Sequence, residues 1–90
     1  MRISSQYILR EIAGEYIIVP TGQEARQFQG LIAVNETGAF LWKVLQESNL
    51  SMDDLINALC ETYDVDCDNA KKDVEIFIQL IDEKGMLIRE

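Results

Sequence analysis

Leu31-Ile32-Ala33-Val34-Asn35-Glu36-Thr37-Gly38-Ala39-Phe40-Leu41-Trp42 changes period in its middle. Leu31 to Val34 form a continuous apolar run of strand formers, long enough for one short strand. Asn35 breaks the run, and its short side chain suits a helix N-cap because it can accept from the backbone N–H groups of the next turn. Glu36 follows in the first turn, where the helix dipole favours negative charge. Leu41, Val44 and Leu45 then recur at helical spacing. A strand therefore runs into a helix with almost no loop, and this junction divides a sheet-like half of the chain from a helical half.

Upstream, Tyr7 to Ile12 reads as a first strand, Ala13-Gly14 as a tight turn in which glycine tolerates a positive φ, and Glu15 to Pro20 as a second strand. Pro20 cannot donate to a ladder and should close it. Residues 21–27 are a polar surface connection. Phe28 and then Leu31 to Val34 make the third strand of an antiparallel meander, with the second strand central and the other two as edges. Residues 1–6 carry little pattern and are expected to fray.

Downstream, the first helix spans about Glu36 to Glu47. Leu41, Val44 and Leu45 face inward, Phe40 lies beside them, and Trp42 points elsewhere. Ser51 caps a second helix, with Asp54 completing a capping box, and Met52, Leu55, Ile56, Leu59 and Tyr63 follow the helical period. Cys60 falls on the same face and reads as a small hydrophobe. Residues 64–69 read as a loop, and Asp68 or Asn69 as the cap of a third helix reaching about Lys84. Gly85 is placed as the residue after its C-cap. Met86 to Ile88 return to the core or the sheet. The sum is a single α+β domain over residues 1–90: a small winged helix-turn-helix fold, a three-stranded antiparallel sheet followed by three helices.

Sixteen acidic against eight basic residues give a formal net charge of −8. That balance argues against a nucleic-acid partner, which needs a basic surface. The 90-residue chain contains no histidine, which removes the commonest general base and the commonest zinc ligand together. Two cysteines, Cys60 and Cys67, are too few for a disulfide framework or a structural zinc site. Asp64, Asp66, Asp68 and Glu75 match the first, third, fifth and twelfth positions of an EF-hand loop, but Asn69 replaces its glycine and Lys72 sits at the ninth position. Cap and loop roles explain these aspartates better. No phosphate loop and no nucleophile with a base is present, so the expectation is a non-enzyme without metal or cofactor. With no signal-peptide pattern and no spanning segment, the expected setting is cytoplasmic, away from the membrane.

The third helix is the most informative one. Ala70, Val74, Phe77, Ile78 and Ile81 share a core face at 100° per residue. Ile76 and Leu80 form a second apolar stripe beside Asp73 and Lys84. Either the sheet covers that stripe or it lines a groove for a partner; the sequence leaves both open.

The chain resembles the PqqD-like proteins, named for coenzyme PQQ synthesis protein D. The resemblance rests on Ile17-Ile18-Val19-Pro20, residues 34–42, Ser51-Met52-Asp53-Asp54-Leu55 and Tyr63-Asp64-Val65-Asp66. It continues through Ala70, residues 73–78, Leu80 and Gly85-Met86-Leu87, in order along nearly the whole chain. It implies a winged helix-turn-helix peptide-recognition element that binds the leader of a ribosomally made precursor peptide. Such an element presents the leader to a modifying enzyme, a radical SAM enzyme in PQQ biosynthesis. In the family the leader adds as a strand to the third strand's edge and packs on the third helix. Carried over, the peptide-binding residues are Leu31, Ile32, Ala33, Val34, Asp73, Ile76, Phe77, Leu80 and Lys84. Two other classes share the grammar: a winged-helix DNA-binding regulator, and a structural or dimerisation subunit that uses the same edge to form a homodimer.

Overall fold

In the computed structural model, residues 1–4, 6–21 and 32–88 are described. Their order is β1 (Arg2–Ile3), β2 (Tyr7–Ile12), β3 (Glu15–Pro20), β4 (Ile32–Val34), α1 (Glu36–Glu47), α2 (Met52–Tyr63), α3 (Cys67–Glu83) and β5 (Leu87–Ile88). The strands β2, β3 and β4 make a three-stranded antiparallel sheet in that spatial order. The fold class is α+β and winged-helix-like, as the order of periods implied.

The β2–β3 hairpin follows from two residues. Ala13 (φ 53°) and Gly14 (φ 82°) both occupy the left-handed region, the geometry of a two-residue turn whose twist matches the flanking strands. Pairing runs without a slip from Ile12↔Glu15 to Tyr7↔Pro20. β4 joins the other side of β3 through Tyr16↔Val34, Ile17↔Ala33 and Ile18↔Ile32. Leu31 and Phe28, assigned to this strand from sequence, lie outside the described residues.

Asn35 caps α1: its side-chain oxygen accepts from Gly38 N–H at 2.9 Å and from the Thr37 hydroxyl at 3.0 Å. Ser51 and Asp54 form the reciprocal box on α2, at 3.2 and 3.1 Å. Gly85 (φ 74°) follows the α3 C-cap as expected. The third cap differs. Asp66, not Asp68 or Asn69, accepts from Asp68 N–H at 3.2 Å, so α3 begins at Cys67 inside the anticipated loop. A cap two or three residues earlier remains compatible with the same apolar period, so periodicity alone does not place it.

Two further expectations are corrected. Within residues 1–6, expected to fray, β1 pairs antiparallel with β5, Arg2↔Ile88 and Ile3↔Leu87. Ser4 N–H donates to Met86 C=O at 2.8 Å, and the terminal ammonium reaches Asn49 Oδ1 at 2.6 Å. Trp42 does not point away from the core; it is fully buried, and its indole N–H has no acceptor among the described residues. α1 contacts β1, β4, α2 and α3, so apolar neighbours surround more of its circumference than a one-sided stripe allows.

The core joins Ile18 of the sheet to Leu41, Trp42 and Leu45 of α1, Leu55 and Leu59 of α2, Val74 and Ile81 of α3, and Met86. No polar or charged residue is buried among the described residues, so hydrophobic burial dominates this packing. Phe40 and Tyr63 meet edge-to-face with centroids 5.4 Å apart, joining α1 to α2 at its rim.

Candidate functional site

β4 pairs only with β3 among the described residues, so its other edge is open. An edge strand carries backbone donors and acceptors that no ladder satisfies. Beside this edge lies a groove of about 270 Å³. Ala33 and Val34 form its strand side, and Asp73, Ile76, Phe77 and Leu80 of α3 form the opposite wall. Asn35, Thr37, Gly38 and Leu41, around the start of α1, complete the lining.

Helix periodicity explains the α3 wall. Asp73, Ile76, Phe77 and Leu80 are spaced three, one and three apart, which brings them onto adjoining rows of one helix face. Phe77 is 5% exposed and belongs to the core, yet it also lines the groove. Ile76 stands at the rim with 67% of its surface exposed. Leu80 is half-buried and packs against the core. The two residues of the second stripe thus part company: neither is covered as fully as a core residue, but only Ile76 projects freely.

The other wall depends on a missing side chain. A Cβ at Gly38 would sit 3.1 Å from Val34 Cβ, 3.1 Å from Asn35 Oδ1 and 3.5 Å from Phe77 Cδ1. Glycine therefore lets α1 start close against β4 and Phe77, and the same backbone N–H that reaches Asn35 belongs to this residue.

The nine residues named from sequence divide as follows. Ala33, Val34, Asp73, Ile76, Phe77 and Leu80 are brought together around the groove. Ile32 is buried in the core and is not a lining residue. Lys84 is exposed at the α3 C-cap, also outside the lining. Leu31 lies outside the described residues. Asn35, Thr37, Gly38 and Leu41 were not named as site residues; a glycine three residues after a helix cap was the available signal for close backbone approach.

A second depression shares Ala33, Val34 and Asn35 with the groove and continues it to Gly14, Glu15, Tyr16 and Glu36. Asp73, Glu15 and Glu36 thus lie along one path, while no lysine or arginine lines either depression among the described residues. Lys43 Nζ stands over the Tyr16 ring, 5.7 Å from its centroid. No group of three or more residues suited to holding a metal occurs among the described residues. No helix there is long and apolar enough to cross a membrane.

Fold and groove together define a class: a small winged-helix-like domain with an apolar trough beside the edge of a strand that is unpaired among the described residues. The chain belongs to the family of Coenzyme PQQ synthesis protein D (PqqD), whose match covers residues 8–87. Two solved structures share its fold. One is TbiB1 in complex with the TbiA(beta) leader peptide, at 21% identity and a TM-score of 0.74, covering 100% of this chain and 98% of that one. The other is a lasso peptide synthetase B1 complexed with the leader peptide, at 18% identity and 0.73, covering 98% and 96%. A search of curated protein sequences finds no match.

Proposed function

We propose that this chain is a non-catalytic peptide-recognition domain. It captures the leader of a ribosomally synthesised precursor as an added strand on β4 and presents that precursor to a separate modifying enzyme, a radical SAM-type enzyme if the pathway follows PQQ synthesis. The observation that carries this reading is the apolar groove lying directly against the open edge of β4. Strand addition uses both parts: backbone hydrogen bonds along the edge give affinity, and side-chain pockets at alternate positions give specificity. The three described residues of β4 offer about 10 Å of edge, enough for a short extended segment. Family membership and a fold shared with two leader-bound proteins support the same reading.

A DNA-binding reading has the fold but not the charge. α3, the helix that would enter a groove of DNA, exposes Asp73, Glu75 and Glu83 alongside Lys71 and Lys72. Phosphates would be repelled as strongly as attracted.

The test is to titrate the full chain with synthetic leader peptides from precursor genes encoded beside its own, following backbone amide chemical shifts. The expected result is saturable binding with shifts at residues 32–34 and 73–80. Shifts confined to β2, or none at all with every such leader, would overturn it.

A further inference from the structure

We propose that Cys60 and Cys67 form a thiol–disulfide site, a dithiol that closes to an intramolecular disulfide by exchange with a low-molecular-weight disulfide of the glutathione type. Both cysteines are free, and their sulfurs lie 2.9 Å apart. A disulfide bond is about 2.05 Å long, so closure requires less than 1 Å of approach. The two sulfurs are not brought together by a wandering loop. Cys60 sits in the last turn of α2, where Asp64, in the left-handed conformation (φ 51°), donates its N–H to Cys60 C=O at 3.1 Å. Cys67 is the first residue of α3, immediately after the Asp66 cap. Two helix ends, each fixed by its own cap, therefore hold the pair.

The two cysteines differ in access. Cys67 is exposed and Cys60 half-buried, so a soluble disulfide meets Cys67 first. The thiol of Cys60 donates to Cys67 Sγ, and this hydrogen bond, with desolvation, pushes Cys60 up to about 11. Cys60 thus keeps its proton until the second step. In the first step the Cys67 thiolate attacks one sulfur of the small disulfide; a Cys67–S–S–R bond forms and one thiolate RS⁻ leaves. In the second, Cys60 gives its proton to RS⁻, and its sulfur attacks Cys67 Sγ and expels the second RS⁻. The protein dithiol is oxidised by two electrons and the small disulfide is reduced to two thiols. The product staples the end of α2 to the start of the helix that carries Asp73, Ile76, Phe77 and Leu80.

The experiment exposes the full chain to glutathione buffers of graded oxidised-to-reduced ratio, quenches with acid, and reads intact mass. The expected product is a monomer lighter by two hydrogens, with little glutathione adduct at any ratio. Closing an eight-residue loop should raise Tm on the order of 10 °C, reversed by reductant. Cys60→Ser should stop at a glutathione adduct on Cys67, and Cys67→Ser should form its adduct more slowly. Independent adducts on both cysteines of the unaltered chain, disulfide-linked dimers, or an unreacted dithiol in fully oxidised glutathione would each overturn the proposal. The mass of the unaltered chain decides the matter even if a variant fails to fold.

Discussion

Ile76→Asp separates groove from core in a single substitution. Ile76 is 67% exposed, so folding removes about a third of its surface from water. Full burial of an isoleucine is worth about 1.5–3 kcal/mol, which sets the lost burial at ~0.5–1 kcal/mol. The new carboxylate lies one turn from Asp73, adding about 0.2–0.5 kcal/mol of like-charge repulsion. The total, ~0.7–1.5 kcal/mol, corresponds to a fall in Tm of roughly 3–12 °C for a domain of this size. Trp42, the single tryptophan and fully buried, reports unfolding through its fluorescence. The effect on peptide binding should be larger. A docked strand would cover the remaining two thirds of the side chain, and the variant forfeits that gain of ~1–2 kcal/mol while forcing an unpaired carboxylate out of water. A rise in Kd of at least ~100-fold follows, measured by anisotropy of a labelled leader. A folded variant whose Kd changes less than about threefold, well under 1 kcal/mol, would refute the groove. A stability loss above ~3 kcal/mol would instead show Ile76 to be covered, since surface substitutions do not cost so much. Leu80→Asp is a poorer probe, because Leu80 already packs on the core and both losses would fall together.

Gly38→Ala should destabilise by ~1 kcal/mol in urea unfolding despite a better helix propensity, because its methyl would press on Val34 and Asn35 at 3.1 Å; Gly38→Val should cost more and close the groove floor to peptide. Asn35→Ala removes the cap oxygen that serves Gly38 N–H and the Thr37 hydroxyl, and should cost about 1 kcal/mol, up to ~2. With Asp73, Glu15 and Glu36 along the groove path, a leader bearing lysine should bind more tightly than its glutamate counterpart. The preference should be about two- to fivefold per exposed pair, shrink with added salt, and diminish in Asp73→Asn; equal affinities at low salt would refute it.

The local part of this fold was readable residue by residue. The hairpin register followed from Ala13-Gly14, and the first two caps from Asn35 and Ser51, because each is decided within a few residues of chain. The α3 core face was also readable: Ala70, Val74, Phe77, Ile78 and Ile81 are all buried. What escaped was decided at long range. β1 and β5 are two residues each and pair across almost the entire sequence, so neither carries a period of its own. Trp42 was misjudged because a helical wheel assumes one buried side, whereas α1 is packed by four elements. The groove was half visible. Its α3 wall came from an apolar stripe that the core did not consume, but Gly38 contributes by lacking a side chain at a close approach, which no periodicity reveals.

An open apolar strand edge is ordinarily a hazard, since it can template pairing with any extended chain. Here several features narrow what can use it. Among the described residues β4 is three residues long, and Asn35 turns the chain into α1 immediately after it, so the available ladder is short. α3 stands along the open side, with Phe77 buried and Ile76 exposed in the groove lining, so a second sheet laid edge to edge would meet this helix. Each copy carries a formal net charge of −8, and the carboxylates of Asp73, Glu15 and Glu36 lie along the path an incoming strand would follow. Like-charged copies repel one another on that approach. Shortness, the α3 wall and acidity thus oppose self-pairing through β4 while leaving a slim peptide with alternating apolar side chains unhindered. In the proposed mode of binding, the features that oppose pairing of two copies would also set the selectivity for a foreign strand.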